Sequence, residues 1–189
     1  MFRILQAVNP PLRTVAADLF REYSTEVAAL CGESLAHQNL EGELASLPGL
    51  YAPPEGNMWV ALQDTAQSAP AGQTPAVGGL SPALPAAASP RPLGCVAIRP
   101  LPKLSTPLRR VCELKRMYVA PAARGMGLGK ALCQTAVSFA ADAGYAVIKL
   151  DTSTDMHTAI GLYRACGFVP AERYNDDPMA DTLYFELVL

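Results

Sequence analysis

The chain is short of the features that would place it at once. Its five cysteines, Cys31, Cys95, Cys112, Cys133 and Cys166, contain no C-x-x-C pair, and the two histidines are not paired, so no set has zinc-ligand spacing. No metal site is expected. An odd cysteine count fits reduced thiols inside a cell. There is no run of about 18 apolar residues to cross a membrane, and the opening Met-Phe-Arg-Ile-Leu-Gln lacks the apolar core of a signal peptide. A soluble, cytoplasmic protein with no membrane partner is therefore expected. The net charge of −2 supplies no general cationic face, which argues against a nucleic-acid partner. With 189 residues, half of them apolar, the chain is long enough for one well-buried domain, 1–189, and too short for two.

The basic residues that are present gather in one region. Lys103, Arg109, Arg110, Lys115, Arg116, Arg124 and Lys130 account for seven of the fifteen, which suits a polyanionic small ligand as well as a set of solvated faces. They surround the stretch from Cys112 to Leu132, which reads as a strand, a short connection, glycines at 125, 127 and 129, and the start of an amphipathic helix. Glycines before a helix let the backbone approach a ligand. The first helical N–H groups have no intrahelical partner, so this junction is suited to phosphate.

Taken in order, residues 2–8 predict a first strand. Asn9-Pro10-Pro11 predicts a helix start with Asn9 as N-cap, and Val15, Ala16, Leu19, Tyr23 and Val27 follow at helical spacing. A second helical piece is expected over 37–47, with His37 on its surface, and a second strand over 56–62. Residues 64–93, rich in Ala, Pro and Ser and carrying prolines at 70, 75, 82, 85, 90 and 92, predict a flexible insertion joining two neighbouring strands. Strands at 94–99 and 110–119 then form a hairpin. The helix after the glycines ends at Gly144, and a buried strand over 145–150 should lie parallel to the one ending at Val119. Thr154 or Asp155 is expected to cap a short helix stopped by Gly167. A strand-like piece over 168–173, a polar turn and a last strand over 182–189 complete an α/β fold with a mixed sheet and helices on both faces.

Three phosphate-binding patterns compete for the glycines. A Walker A loop would need glycine five residues before Gly129 and Ser or Thr after Lys130; Arg124 and Ala131 stand there. A dinucleotide fold gains from Asp151, about twenty residues downstream where a ribose-binding carboxylate belongs. It loses because Lys130 occupies the third glycine position and antiparallel strands precede the motif. Asp151 is more simply a residue of the connection to the next helix.

The third pattern is met residue by residue. Arg124-Gly125-Met126-Gly127-Leu128-Gly129 resembles the R/Q-x-x-G-x-G/A signature of the GCN5-related N-acetyltransferases (GNAT). Glu113 to Val119 looks like that family's fourth strand, and the run from Ala159 to Phe168 looks like its A-x-x-L-Y-x-x-x-G-F helix. The likeness runs from about Leu93 to the end, and the amino-terminal half matches in element order only. It implies a single-domain fold with about seven strands, the fourth splayed from the fifth, often at a bulge. It also implies acetyl-CoA as acyl donor, its pantetheine arm alongside Met117, Tyr118 and Val119, and its pyrophosphate on the amides of Arg124, Gly125, Met126, Gly127, Leu128, Gly129 and Lys130. Ala159 and Arg164 of the Leu-Tyr helix are further cofactor contacts, with Lys130 and Arg164 meeting phosphate oxygens.

The reaction so implied is direct attack of a primary amine, of a small molecule or peptide, on the thioester. Glu113 is the expected general base, directly or through water, and Tyr163 the expected general acid. Each has a plainer role available: Glu113 as ion-pair partner of Arg110 or Lys115, Tyr163 as an aromatic core residue. His157 is expected at the surface or as a cap, and Cys112 and Cys166 in ordinary packing. Acids at Glu22, Glu26, Glu33, Glu41, Glu43, Asp176, Asp177 and Asp181 favour a cationic acceptor, and a homodimer is a further partner to consider. A non-catalytic acetyl-CoA sensor would keep the glycines and need neither Glu113 nor Tyr163.

Overall fold

A computed structural model describes residues 1–32, 39–64 and 90–189. Strand β1 (Phe2–Gln6) is followed by α1 (Leu12–Cys31), the short α2 (Leu40–Ala45) and β2 (Asn57–Gln63). The apolar stripe of α1 buries Ala16, Leu19, Phe20 and Val27 on the sheet, as its helical spacing predicts. The N-cap is Pro11, and no side chain caps the helix. Asn9 contributes its backbone carbonyl, which accepts the Arg13 amide at 2.9 Å, so the expected side-chain cap is corrected to a main-chain one. His37 and most of the 64–93 insertion lie outside the described residues.

Strands β3 (Pro92–Pro100) and β4 (Val111–Val119) form the antiparallel hairpin, and β3 begins inside the interval marked by composition as insertion. Helix α3 (Leu128–Asp142) crosses to β5 (Val147–Ser153), which pairs parallel with β4. Helix α4 (His157–Ala165), the two-residue β6 (Val169–Pro170) and β7 (Thr182–Val188) complete the chain. The N-cap of α4 is Met156; neither Thr154 nor Asp155 caps it, because the Asp155 amide turns back onto Ser153 Oγ at 3.2 Å.

The seven strands run in the order β1-β2-β3-β4-β5-β7-β6, all antiparallel except β4 with β5. A crossover helix between parallel strands accounts for that exception. One core lies between the sheet and α3 and α4, built on Leu128, Leu132, Ile148, Leu150 and Phe185. The other lies under α1 and α2, built on Leu19, Phe20, Tyr51, Met58 and Val60.

The pairing of β4 with β5 stops early. Val111, Cys112 and Glu113 oppose Val147, Ile148 and Lys149, and from Leu114 onward that edge of β4 has no strand partner among the described residues. On the other edge the register against β3 slips between Cys95 and Ala97, opposite a β4 bulge in which Arg116 takes φ 56°. A non-glycine residue in left-handed backbone is uncommon, and here it accompanies the extra residue that bends β4 away from β5.

Candidate active site

The open edge of β4 leads into the glycine turn. Ala120 N–H bonds Leu93 O on β3, so by strand alternation Val119 faces the opposite way, toward the gap. Its carbonyl accepts Arg124 Nε at 3.1 Å. Gly125 and Gly127 both have φ 77°, and a Cβ at either would meet nothing within 4 Å, so the turn leaves room on its outer side. Gly127 is the N-cap of α3, whose first turn carries no acidic residue. Its leading amides therefore present the positive end of the helix dipole into that room. Gly129 serves packing: a Cβ there would come within 3.2 Å of Leu162 Cδ2, so the third glycine lets α3 approach the Leu-Tyr helix α4.

Not all residues expected at the pyrophosphate are equally available. The Arg124 amide already donates to Pro121 O at 3.3 Å, and its guanidinium pairs with Glu26 of α1. Met126 and Lys130 are exposed, and Leu128 is buried in the core. Ala159 packs against the α3–α4 core, while Arg164 lies 6.0 Å from the centroid of the Phe185 ring, directed toward β7. Met117 and Tyr118 are largely buried, so what they offer a ligand is backbone.

Glu113 is at the centre of a polar network on the sheet face opposite α3. Its carboxylate is 1 % exposed; Oε2 accepts Arg99 Nε at 2.6 Å, and Oε1 accepts the Tyr174 hydroxyl at 2.8 Å, with Lys115 Nζ 3.8 Å away. Lys115 pairs with Asp151 at 3.3 Å, and Asp151 also accepts Asn175 Nδ2 at 2.7 Å. Burial pushes the Asp151 carboxyl up, but the Lys115 charge and the bonds from Asn175 and Lys115 outweigh it and hold it below its usual value. Arg110, the other partner expected for Glu113, goes instead to Ala143 O and Glu55. Asp151 is likewise an interior strand residue and not part of the helix connection.

A second buried pair ties α2 to the bulge. Arg116, its side chain 1 % exposed, donates Nε and Nη2 to Glu43 at 2.9 and 3.0 Å, and the Tyr51 hydroxyl bonds Glu43 Oε1 at 3.0 Å. Burial raises the Glu43 carboxyl, and the Arg116 bond and charge reverse this to a net lowering.

Tyr163 is buried on α4 in edge contact with Phe168, 5.9 Å between ring centroids. Among the described residues its hydroxyl makes no hydrogen bond, and no buried polar side-chain atom lacks a partner, so that oxygen keeps some contact with solvent. Burial raises its pKa well above the ordinary phenol value, and it stays protonated. His157 is exposed, and burial pushes the Cys112 thiol up to about 12, which keeps it un-ionised.

Arg99, Tyr174 and Asn175 were not legible as site residues. Tyr174 was a lone aromatic in a polar turn, which could have signalled an anchored loop; Arg99 closed a strand and carried no local signal.

This sheet, opened between β4 and β5 beside a glycine turn, is the fold of known acetyltransferases. An acetyltransferase structure from Streptococcus agalactiae superposes with a TM-score of 0.68 at 18 % identity, covering 100 % of this chain and 98 % of that one. A chain of the NatC complex bound to Gag peptide and CoA superposes at 0.59 and 19 %, covering 100 % and 98 %. An uncharacterised N-acetyltransferase of Schizosaccharomyces pombe is 30 % identical over 169 residues, 89 % of this chain and 83 % of that protein. Residues 48–168 match the acetyltransferase (GNAT) family, and the chain belongs to it.

Proposed function

We propose that the protein is an acetyl-CoA-dependent N-acetyltransferase acting on a primary amine of a small molecule or peptide. The observation that carries this is the open β4 edge running into a glycine turn with free space and helix-terminal amides at its end. The backbone of Met117 and Val119 would hold the cofactor's arm, and the amides of residues 125–130 its pyrophosphate, with Lys130 as an exposed counter-charge. The NatC complex, one chain of which shares this fold, is bound to CoA, which supports the assignment. When bound, acetyl-CoA supplies an acetyl group activated as a thioester.

Glu113 is enclosed, so it acts through the group that covers it. The Tyr174 hydroxyl donates to Glu113 Oε1 and takes a proton from the acceptor amine as its own passes to the carboxylate. Arg99 Nε and Lys115 Nζ set two positive charges 2.6 and 3.8 Å from that carboxylate. Tyr163, protonated and with its hydroxyl reaching solvent, donates a hydrogen bond to the departing sulfur.

Thiol release against an amine panel tests this reading. Glu113→Gln is expected to lower kcat by about 10²-fold or more, and Tyr163→Phe by a smaller factor, with the acetyl-CoA thermal shift retained in both. That both Glu113 carboxylate oxygens already accept a hydrogen bond favours a second reading, an acetyl-CoA-binding regulator in which that network is structural. Tight acetyl-CoA binding with no turnover of any amine would select it, and a thermal shift with NAD alone would instead revive dinucleotide binding.

A further inference from the structure

A cavity of about 270 Å³ opens between α2 and β3, lined among others by Gly42, Glu43, Leu47, Leu50, Tyr51 and Arg99. Its size is at the lower end for small-molecule sites. Its two charged side chains differ in what they still offer. Both oxygens of Glu43 are occupied, by Arg116 and Tyr51, so the carboxylate is neutralised from behind. Arg99 is 27 % exposed and spends only Nε, on Glu113. Among the described residues both of its terminal nitrogens lack a partner, which leaves four N–H donors in the planar geometry that a carboxylate accepts two at a time.

Several of the acids that suggested a cationic acceptor are engaged elsewhere. Glu26 pairs with Arg124, Glu41 is 3.7 Å from Arg21, and Asp177 caps the Met179 amide at 2.9 Å. Around the cavity, Arg99, Arg116 and Lys115 balance Glu113, Glu43 and Asp151 one for one. An acceptor bringing one carboxylate with its amine adds no net charge to this set. A simple cationic amine would leave the Arg99 donors unmet, and a polyanion would have no second cation.

We infer that this cavity is the carboxylate subsite of the acceptor and that Arg99 anchors it, so the substrate class is an amino acid or a small conjugate keeping a free α-carboxylate. The inference rests on the acetyltransferase reading. The same guanidinium that would hold the carboxylate touches Glu113, so the amine of such a molecule lies within a few bonds of the proposed proton path.

The test uses proteinogenic L-amino acids beside their C-terminal amides, which keep the amine and remove the charge. Free acids are expected to exceed amides in kcat/KM by roughly tenfold or more. Arg99→Gln should collapse that ratio, whatever it does to absolute turnover through Glu113. Gly42→Leu, whose Cβ would displace the Asn39 side chain at the cavity wall, should raise KM for the acids while the acetyl-CoA thermal shift persists. Amides turned over as well as acids, or a ratio unchanged in Arg99→Gln, would overturn the inference. If the wild type turns over no amine, the catalytic reading fails by itself. Calorimetric binding of acids against amides, in wild type and both variants, then decides the subsite: a preference lost in the variants supports it, and no preference overturns it.

Discussion

At Arg116 a single side chain joins two layers that the backbone alone would leave independent. It starts from left-handed backbone on β4 and ends, fully buried, on Glu43 of α2. Removing one partner of a buried pair strands the other's charge, whereas muting both is cheap. Arg116→Ala is therefore expected to cost about 3–5 kcal/mol, read as a lowered urea midpoint, and Glu43→Gln, which strands the buried Arg116 charge, a similar amount. The same residues set an acid limit. Glu43 and Asp151 are both held below their ordinary carboxylate values, so the native state binds fewer protons than the unfolded chain as pH falls past about 5. Their contribution is complete above the unfolded values and is lost as pH drops through the folded ones. Denaturation midpoints should fall on that limb, less steeply in Asp151→Asn. None of these pairings was readable in order along the chain, since Glu43 and Arg116 are 73 residues apart.

The elements around the opening show how much a local pattern can carry. Strand β4, the glycine turn and α3 are consecutive, and their chemistry is local: glycine for left-handed backbone, an apolar stripe for the helix, glycine after its end. Their places agree with the sequence reading to within a residue or two. The helix caps do not, because a cap depends on where a side chain finds an amide, and Asn9 and Asp155 each found a different arrangement. Gly127 allows a clean measurement. With φ 77° and nothing within 4 Å of a Cβ, Gly127→Ala meets no clash, only left-handed strain of about 1–2 kcal/mol. If the turn holds the pyrophosphate, acetyl-CoA affinity by calorimetry should fall several-fold further than that of a variant with equal loss of stability elsewhere on the surface.

For the whole molecule, the sheet order predicts that folding does not need the long stretch between β2 and β3. Gln63 N–H bonds Arg91 O at 2.9 Å, so the two strand ends are already held side by side. Replacing residues 65–89 by a short glycine-containing turn should raise stability by no more than about 2 kcal/mol, because closure entropy grows only logarithmically with loop length. Circular dichroism melts and acetyl-CoA thermal shifts check this, and a lost shift would give the stretch a part in binding.

By itself the sequence determined the α/β class, the run of strands and helices and the glycine turn before α3, since periodicity, glycine spacing and short motifs act over neighbouring positions; Glu113 and Tyr163 were nominated through the family resemblance. Only the tertiary structure decided what surrounds them. It put Arg99 and Tyr174 on Glu113, Asn175 on Asp151 and Glu43 under the bulge, because the partner of a buried charge is chosen by which strands and loops the fold brings within 3 Å, and no spacing along the chain records that.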